Sequence, residues 1–171
     1  KIPVDENTIF ETAPLTKTIT AAAALKFVER EELVIDTPLA EYLPYPKLSG
    51  DDRYKKITAR HVLTHTTCLP NWENRLIREP GKLYGYSGEG FLYLGRTIEK
   101  FSGMSLQDFA RKKIFEPLGI ICTSYIWNDL YAENGPVAMT VTDSLRSEAE
   151  GPNLTEEPAW SQQQEIMQPF Y

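Results

Sequence analysis

The sequence predicts a mainly α-helical domain, and three observations carry that expectation. From Lys17 to Leu33 there is no Gly or Pro; the apolar Ile19, Ala21 to Ala24, Leu25, Phe27 and Val28 give way to the charged run Glu29 to Glu32, so a helix enters a core and leaves it wet. Phe91, Leu94, Ile98 and Phe101 recur at helical spacing before Gly103, and Leu106, Phe109, Ala110, Ile114 and Phe115 do so again after the cap residue Ser105. With 171 residues, 42% hydrophobic and 25% charged, the chain is long and apolar enough to bury a real core as one domain, 1–171.

Composition also narrows function. A net charge of −6 ill suits nucleic acid as a partner, because a phosphate backbone calls for clustered Lys and Arg; the basic run Arg111 to Lys113 reads as a solvated helix face. No apolar run approaches the length of a transmembrane segment. Cys68 and Cys122 are too few for a disulfide framework and read as two unrelated buried thiols, a single bridge being the alternative. The chain begins at Lys1 with no initiator Met and no signal peptide in view, which points to a processed, trimmed or partial product.

In order along the chain, Lys1 to Thr12 places Val4, Ile9 and Phe10 among polar residues, a short extended approach to the first helix. Lys17 stands at the foot of that helix, where it either snorkels to water or lies buried as catalytic lysines do. The alanines leave room for neighbours to approach closely, so the first half of the helix should be nearly surrounded by protein. Asp36-Thr37-Pro38 opens a new turn with Pro38 at an early helical position; Leu39, Tyr42 and Leu43 fill it, and Pro44 ends it. Tyr45 to Lys55, rich in Pro, Gly and Asp, reads as a surface loop.

Thr58 then caps a short helix that carries Val62 and Leu63 inward. His61 and His65 stand four apart, a spacing that can place two ligands on one helical face. A metal site needs a third ligand, and no HExxH-type glutamate lies between them, so neither a metal nor another cofactor is expected. Asn71 to Gly81 is a charged loop carrying Trp72. Beyond the helices, Ile120 to Trp127 suits a short extended piece, Thr142 a helix cap, Asn153-Leu154-Thr155 a formal glycosylation acceptor, and Trp160 to Met167 a last helix.

Several stretches resemble one family. T-I-F-E-T-A-P-L-T-K-T-I-T-A-A-A-A-L is similar to the signature segment of the serine β-lactamases and penicillin-binding proteins, particularly class C β-lactamases, DD-peptidases and related esterases. Asp36, Pro38, Tyr42, Leu43 and Pro44 match D-x-P-x-x-x-Y-L-P. Ile57 to Pro70 resembles I-T-I-R-H-L-L-T-H-T-S-G-L-P, with Cys68 where the family has glycine; a Cβ there tolerates positive φ poorly. Pro80 to Phe91 resembles P-G-x-x-F-x-Y-S-N, and Ile98 to Gly119 copies I-E-x-x-x-G-x-S-L-x-x-F-x-x-x-x-I-F-x-P-L-G. The likeness is good over 4–124 and weak over 125–171.

The resemblance implies the helical lobe of the β-lactamase and transpeptidase-like fold, with most of the central antiparallel sheet missing and the first helix left with an apolar face for a partner chain, further sequence or a second copy to cover. It implies export to the periplasm or cell surface, and a small-molecule or peptide substrate such as a β-lactam, a D-alanyl peptide or an ester. In the family's Ser-x-x-Lys the serine is the nucleophile and the lysine helps take its proton; here Pro14 stands at the serine's position and Lys17 at the lysine's. Tyr86 occupies the place of the family's acid-base tyrosine, with the alternative reading of a core-edge aromatic. Gly88 replaces the asparagine that binds the substrate amide, leaving Ser87, Gly88 and Trp72 as expected substrate contacts. The histidines are expected to bond backbone around their turn. No Lys-Thr-Gly or His-x-Gly element is found. The chain therefore reads as a serine hydrolase by descent that has lost its nucleophile, or as a non-catalytic peptide- or protein-binding relative that keeps the groove, or as a remnant.

Overall fold

An alanine run gives a helix its highest propensity and its smallest girth, and it is around such a run that this chain packs. The structure, a computed structural model, describes residues 8–10, 12–126 and 137–138. The chain divides into two units, Pro14–Tyr125 and the termini Lys1–Ala13 with Ile126–Tyr171. In the terminal unit, β1 (Ile9–Phe10) pairs in parallel with β2 (Val137–Ala138). The readings placed on Thr142, Asn153 to Thr155 and Trp160 to Met167 lie outside the described residues.

In the larger unit, α1 (Thr16–Glu29) follows a 3-10 turn over Ala13–Leu15, and its inward face is Thr20, Ala23, Ala24 and Phe27. It ends at Glu31, in the left-handed region at φ 59; Leu33, folded back so that its N–H bonds the Phe27 carbonyl at 3.2 Å, is buried. Leu25, expected inside, is 49% exposed, because it lies on the opposite side of the helix from the buried Ala23 and Phe27. The encircled first half is thus narrower than expected, one face rather than the whole girth.

Pro38 precedes the single-turn α2 (Leu39–Tyr42), and Thr58 caps α3 (Ala59–Leu63) by accepting the His61 N–H. The stretch read as a surface loop is instead two 3-10 turns, Pro46–Leu48 and Asp52–Lys56, that bury Leu48 and Tyr54. Their two apolar side chains, spaced for single turns, were hidden among loop-forming residues. α4 (Gly88–Ser102) is capped by Ser87 and stopped by Gly103 at φ 64, a left-handed stop that favours glycine. α5 (Leu106–Ala110), capped by Ser105, runs into a π-helical turn over Arg111–Phe115 and a 3-10 turn over Glu116–Leu118, a broken rod where one helix was expected. No ladder forms over the described part of Ile120 to Trp127; there Tyr125 turns inward, and its hydroxyl donates to the Thr16 carbonyl at 3.0 Å.

The core joins these pieces. Phe27 stacks between Phe101 at 5.4 Å and Phe109 at 5.2 Å, with Leu94 and Ile98 of α4 beside it in the same cluster. Tyr93, fully buried, stacks on Tyr45 at 4.5 Å and donates to the Leu43 carbonyl at 2.7 Å. Next to it the buried carboxylate of Glu89 accepts from Tyr45 at 2.8 Å and Lys47 at 3.0 Å, in the first turn of α4, where the helix dipole favours negative charge. Cys68 is buried but Cys122 is exposed, which corrects the expectation of two buried thiols; both are free. Among the described residues no helix is long and apolar enough to cross a membrane.

Phe27→Ala should lower unfolding free energy by about 3–5 kcal/mol, since its ring leaves a cavity between two others. Leu25→Ala should change it by no more than about 0.5 kcal/mol. Urea titrations of the two variants check the contrast; equal losses would mean that Leu25 is core after all.

Candidate active site

Two elements far apart in sequence build the site: the first turn of α1 and the extended segment that enters α4. Pro14 lies in the turn that precedes α1, exposed, with neither an N–H nor a hydroxyl to offer. Its fixed φ suits a helix start. Ala13 before it is held at φ 36. One turn onward, Lys17 is half-buried, and its ammonium donates to the Tyr86 hydroxyl at 2.6 Å. The nitrogen lies 4.5 Å from the Tyr86 ring centroid and 5.6 Å from that of Phe91, close enough for both ring faces to attract it. Lys17 therefore neither snorkels freely nor lies sealed; it is folded against an aromatic wall with its charge on a phenol oxygen.

Tyr86 is held from behind. His65 stacks on it at 5.0 Å with planes 22° apart, and Phe91 packs against the imidazole at 5.2 Å. The Nδ1 of His65 accepts the Ser87 N–H at 3.2 Å, which puts the proton of the neutral ring on Nε2. Burial, and then the positive charge of Lys17, hold His65 below its ordinary 6.5. His61 serves the helix instead, its Nδ1 accepting the Thr58 N–H at 3.2 Å and closing the capping box of α3. Burial depresses it as well. Both rings bond backbone, as the resemblance implied, and they do so in two places. Among the described residues no three His, Cys, Asp or Glu side chains gather as a metal site.

The remaining expected residues sort differently. Ser87 is buried, its hydroxyl accepting the Gly90 N–H at 3.0 Å as the N-cap of α4. Gly88 is buried beneath the Trp72 ring, and a Cβ added there would fall among the atoms Cη2, Cζ2 and Cζ3 of the indole. Asn71, next to Trp72, accepts the Gly88 N–H at 2.7 Å. The structure thus brings Pro14, Lys17 and Tyr86 to one end of the helix pair, and Trp72 to Gly88. Sequence reading missed His65 as the support of Tyr86, and missed Asn71. The signal for the first was a histidine in a turn with its partner ring a loop away; for the second there was none.

The loop between the two elements is strained. His65, Cys68 and Trp72 all take positive φ, 54°, 60° and 62°, so the turn keeps its left-handed form although Cys68 is not glycine. Its Sγ lies 3.1 Å from the Glu79 carbonyl. A Cβ at positive φ is costly while glycine is not. Cys68→Ala keeps the strain and loses the sulfur contact, whereas Cys68→Gly loses both, so the glycine variant should melt higher than the alanine variant. Thermal unfolding of the two checks the order, and an alanine variant that melts higher would refute strain at this turn.

The histidines give a pH dependence. Both have folded pKa values below the unfolded 6.5, so the unfolded chain binds more protons once the pH falls below that value. Their contribution to stability is complete above it and is lost as the pH falls through the folded values. Melting temperature should therefore decline from pH 7.5 toward pH 5, and His65→Gln should flatten that slope even though it lowers the starting value. Equal slopes in the two proteins would exclude His65 as a source.

Comparison with known proteins gives the family and the fold. The family described as Beta-lactamase matches residues 1–155. A penicillin-binding protein of Bacillus subtilis (strain 168) is 31% identical over 147 residues, covering 70% of this chain and 31% of that protein. Esterase EstB of Burkholderia gladioli is 39% identical over 88 residues, half of this chain and 21% of that one. The chain thus spans a third or less of the length of these relatives. Among solved structures, a class C β-lactamase superposes with a TM-score of 0.67 at 26% identity, over 79% of this chain and 42% of the other. An octameric penicillin-binding protein homologue from Pyrococcus abyssi gives 0.60 at 27%, over 73% and 34%. With a mainly helical fold that matches a helical portion of those structures, and with the family match running over nearly its whole length, this chain belongs to the β-lactamase family.

Proposed function

We propose that the chain holds the proton-transfer half of a serine hydrolase site and lacks the nucleophile that would use it. The observation that carries this reading is the 2.6 Å hydrogen bond between Lys17 and Tyr86, one turn after Pro14. In acyl transfer a hydroxyl attacks an amide or ester carbonyl, an acyl-enzyme forms, and water releases it. A base must take the hydroxyl proton as the bond forms, and that base must lie within hydrogen-bond reach. Lys17 and Tyr86 are so placed for a side chain at position 14, since residues three apart on a helical turn share a face. Proline brings ring carbons to that point, so the cleft binds a carbonyl-containing ligand without forming a covalent bond.

The ligands in keeping with this reading are amides and esters of the kind the family handles: a β-lactam, a D-alanyl peptide or a small ester. A periplasmic or extracellular location, and assembly into an oligomer as in the octameric homologue, belong to the same proposal.

Intact mass spectrometry of the folded chain after incubation with a reactive β-lactam, and separately with a fluorophosphonate, should find no adduct. A stoichiometric adduct on the parent chain would show another residue doing the work of the serine. Pro14→Ser should gain one fluorophosphonate adduct, at a rate that falls by about a hundredfold or more in Pro14→Ser with Lys17→Ala, in line with the usual contribution of a positioned base. An equal rate in both would separate Lys17 from the site.

A further inference from the structure

A lysine in the first turn of a helix is placed only as well as that turn is held, and α1 has no cap to hold it. Leu15 stands at the N-cap position with no side-chain bond to the free N–H groups, and no acidic residue lies in the first turn. Helix ends of this kind fray. What secures the turn comes from beyond α5. Tyr125, half-buried, sends its hydroxyl to the carbonyl of Thr16, the first residue of α1, at 3.0 Å, and lies 3.0 Å from the Thr20 hydroxyl one turn on. Thr20 Oγ1 is itself 3.1 Å from the same carbonyl. Three oxygens close a ring that two hydroxyl protons serve: the phenol gives its proton to the carbonyl, and Thr20 gives its own to the phenol oxygen or to the carbonyl. Burial pushes the Tyr125 phenol up to about 12, so at neutral pH it is a donor. Its backbone is fixed as well, because the Tyr125 N–H donates to Gln107 Oε1 of α5 at 2.7 Å. A strut thus runs from α5 through Tyr125 to the peptide group that joins Thr16 to Lys17.

We propose that Tyr125 is a positioning residue for the Lys17 and Tyr86 pair, pinning the peptide plane from which Lys17 departs so that its ammonium stays on the Tyr86 hydroxyl. This deepens the proton-transfer reading above and rests on it. A peptide group is planar, so a carbonyl held at its oxygen also sets the direction in which the next residue leaves. The target is narrow. The Lys17 nitrogen sits 2.6 Å from the phenol oxygen and 4.5 Å from the ring centroid, at the end of a flexible four-carbon stem. Ala23, Ala24 and Phe27 grip α1 farther along; at the turn that carries Lys17 the hold is the Tyr125 hydroxyl and the buried Thr20 beside it. With the phenol proton gone, Thr20 is left to bond the carbonyl one turn back, a contact that bends helices.

Two measurements test this. The Lys17 ammonium lies against the ring faces of Tyr86 and Phe91, so in proton NMR of the full chain the adjoining Hε protons should be displaced upfield from the ordinary lysine position. Tyr125→Phe should move them back toward that position. Tyr93→Phe, which removes a buried hydroxyl that donates to the Leu43 carbonyl instead, should leave them in place although it too costs stability. In Pro14→Ser, adding Tyr125→Phe should slow formation of the fluorophosphonate adduct by about tenfold, a displaced base costing part of what a missing one does, while adding Tyr93→Phe should leave the rate unchanged. If Tyr125→Phe fails to fold by circular dichroism, Gln107→Ala, which cuts the strut at its other end, takes its place with the same expectations. Lys17 resonances or an adduct rate unmoved by the change, or moved equally by Tyr93→Phe, overturn the role of Tyr125 and leave the proton-transfer reading standing. A Pro14→Ser rate that does not depend on Lys17 overturns that reading instead, and the Lys17 resonances still decide whether Tyr125 holds the lysine.

Discussion

The close approach of α1 to α4 is the constraint on which the rest depends. Ala23 and Ala24 are fully buried and carry nothing beyond Cβ, so the second helix can press its Leu94 and Ile98 into the same cluster that holds Phe27. Once two rods are locked side by side, their ends are locked too. Lys17 sits in the first turn of one, and Tyr86 stands two residues before the first turn of the other. A hydrogen bond across 69 positions of sequence is thus an outcome of apolar packing several turns away. A bulkier residue at 23 or 24 would reach Lys17 and Tyr86 through the helix axes, without touching either.

The charges around the start of α4 are sorted by side. Glu89 faces inward, where Tyr45 and Lys47 hold it, and Tyr86 faces Lys17. The two cations, each with a partner of its own, sit on different sides of one turn. An acid buried without such partners would be expensive; here its hydrogen bonds, and its place at a helix N-terminus, offset the loss of water. His65 completes the arrangement as a neutral ring: a second cation behind Tyr86 would oppose Lys17, and both burial and that lysine disfavour it.

Much of this was legible in the sequence, for identifiable reasons. Gly103 and Ser105 punctuate α4 and α5 by well-known helix-end chemistry, and the spacing of Phe91, Leu94, Ile98 and Phe101 marked the buried face. Pro14, Lys17 and Tyr86 could be named because one local pattern and a short Tyr-Ser motif carry them, and the contact of Lys17 with Tyr86 followed from packing. What could not be read is what depends on contact between distant segments. The exposure of Leu25 follows from which side of α1 its neighbours take. The role of Ser87 as a cap depends on α4 beginning three residues before Phe91, where the apolar pattern starts, at a glycine that carries no hydrophobic signal. The seating of Trp72 on Gly88 joins an aromatic residue in a loop to a side chain that is not there, and no period or propensity registers an absence.

The double duty of the Tyr86 to Gly90 segment ties the Lys17–Tyr86 pair to the opening motions of the molecule. Ser87 ends the stretch that aims Tyr86 and also anchors the first turn of α4, so fraying of that turn frees the Gly90 amide and unseats the phenol in one event. Local openings of this kind set how fast backbone amides exchange with solvent, and anything that binds the closed form slows them. The amide hydrogens of Ser87, Gly88 and Gly90, bonded respectively to His65, Asn71 and the Ser87 hydroxyl, are therefore a built-in gauge of that turn, and their exchange with deuterium reports how often the phenol leaves its seat beside Lys17.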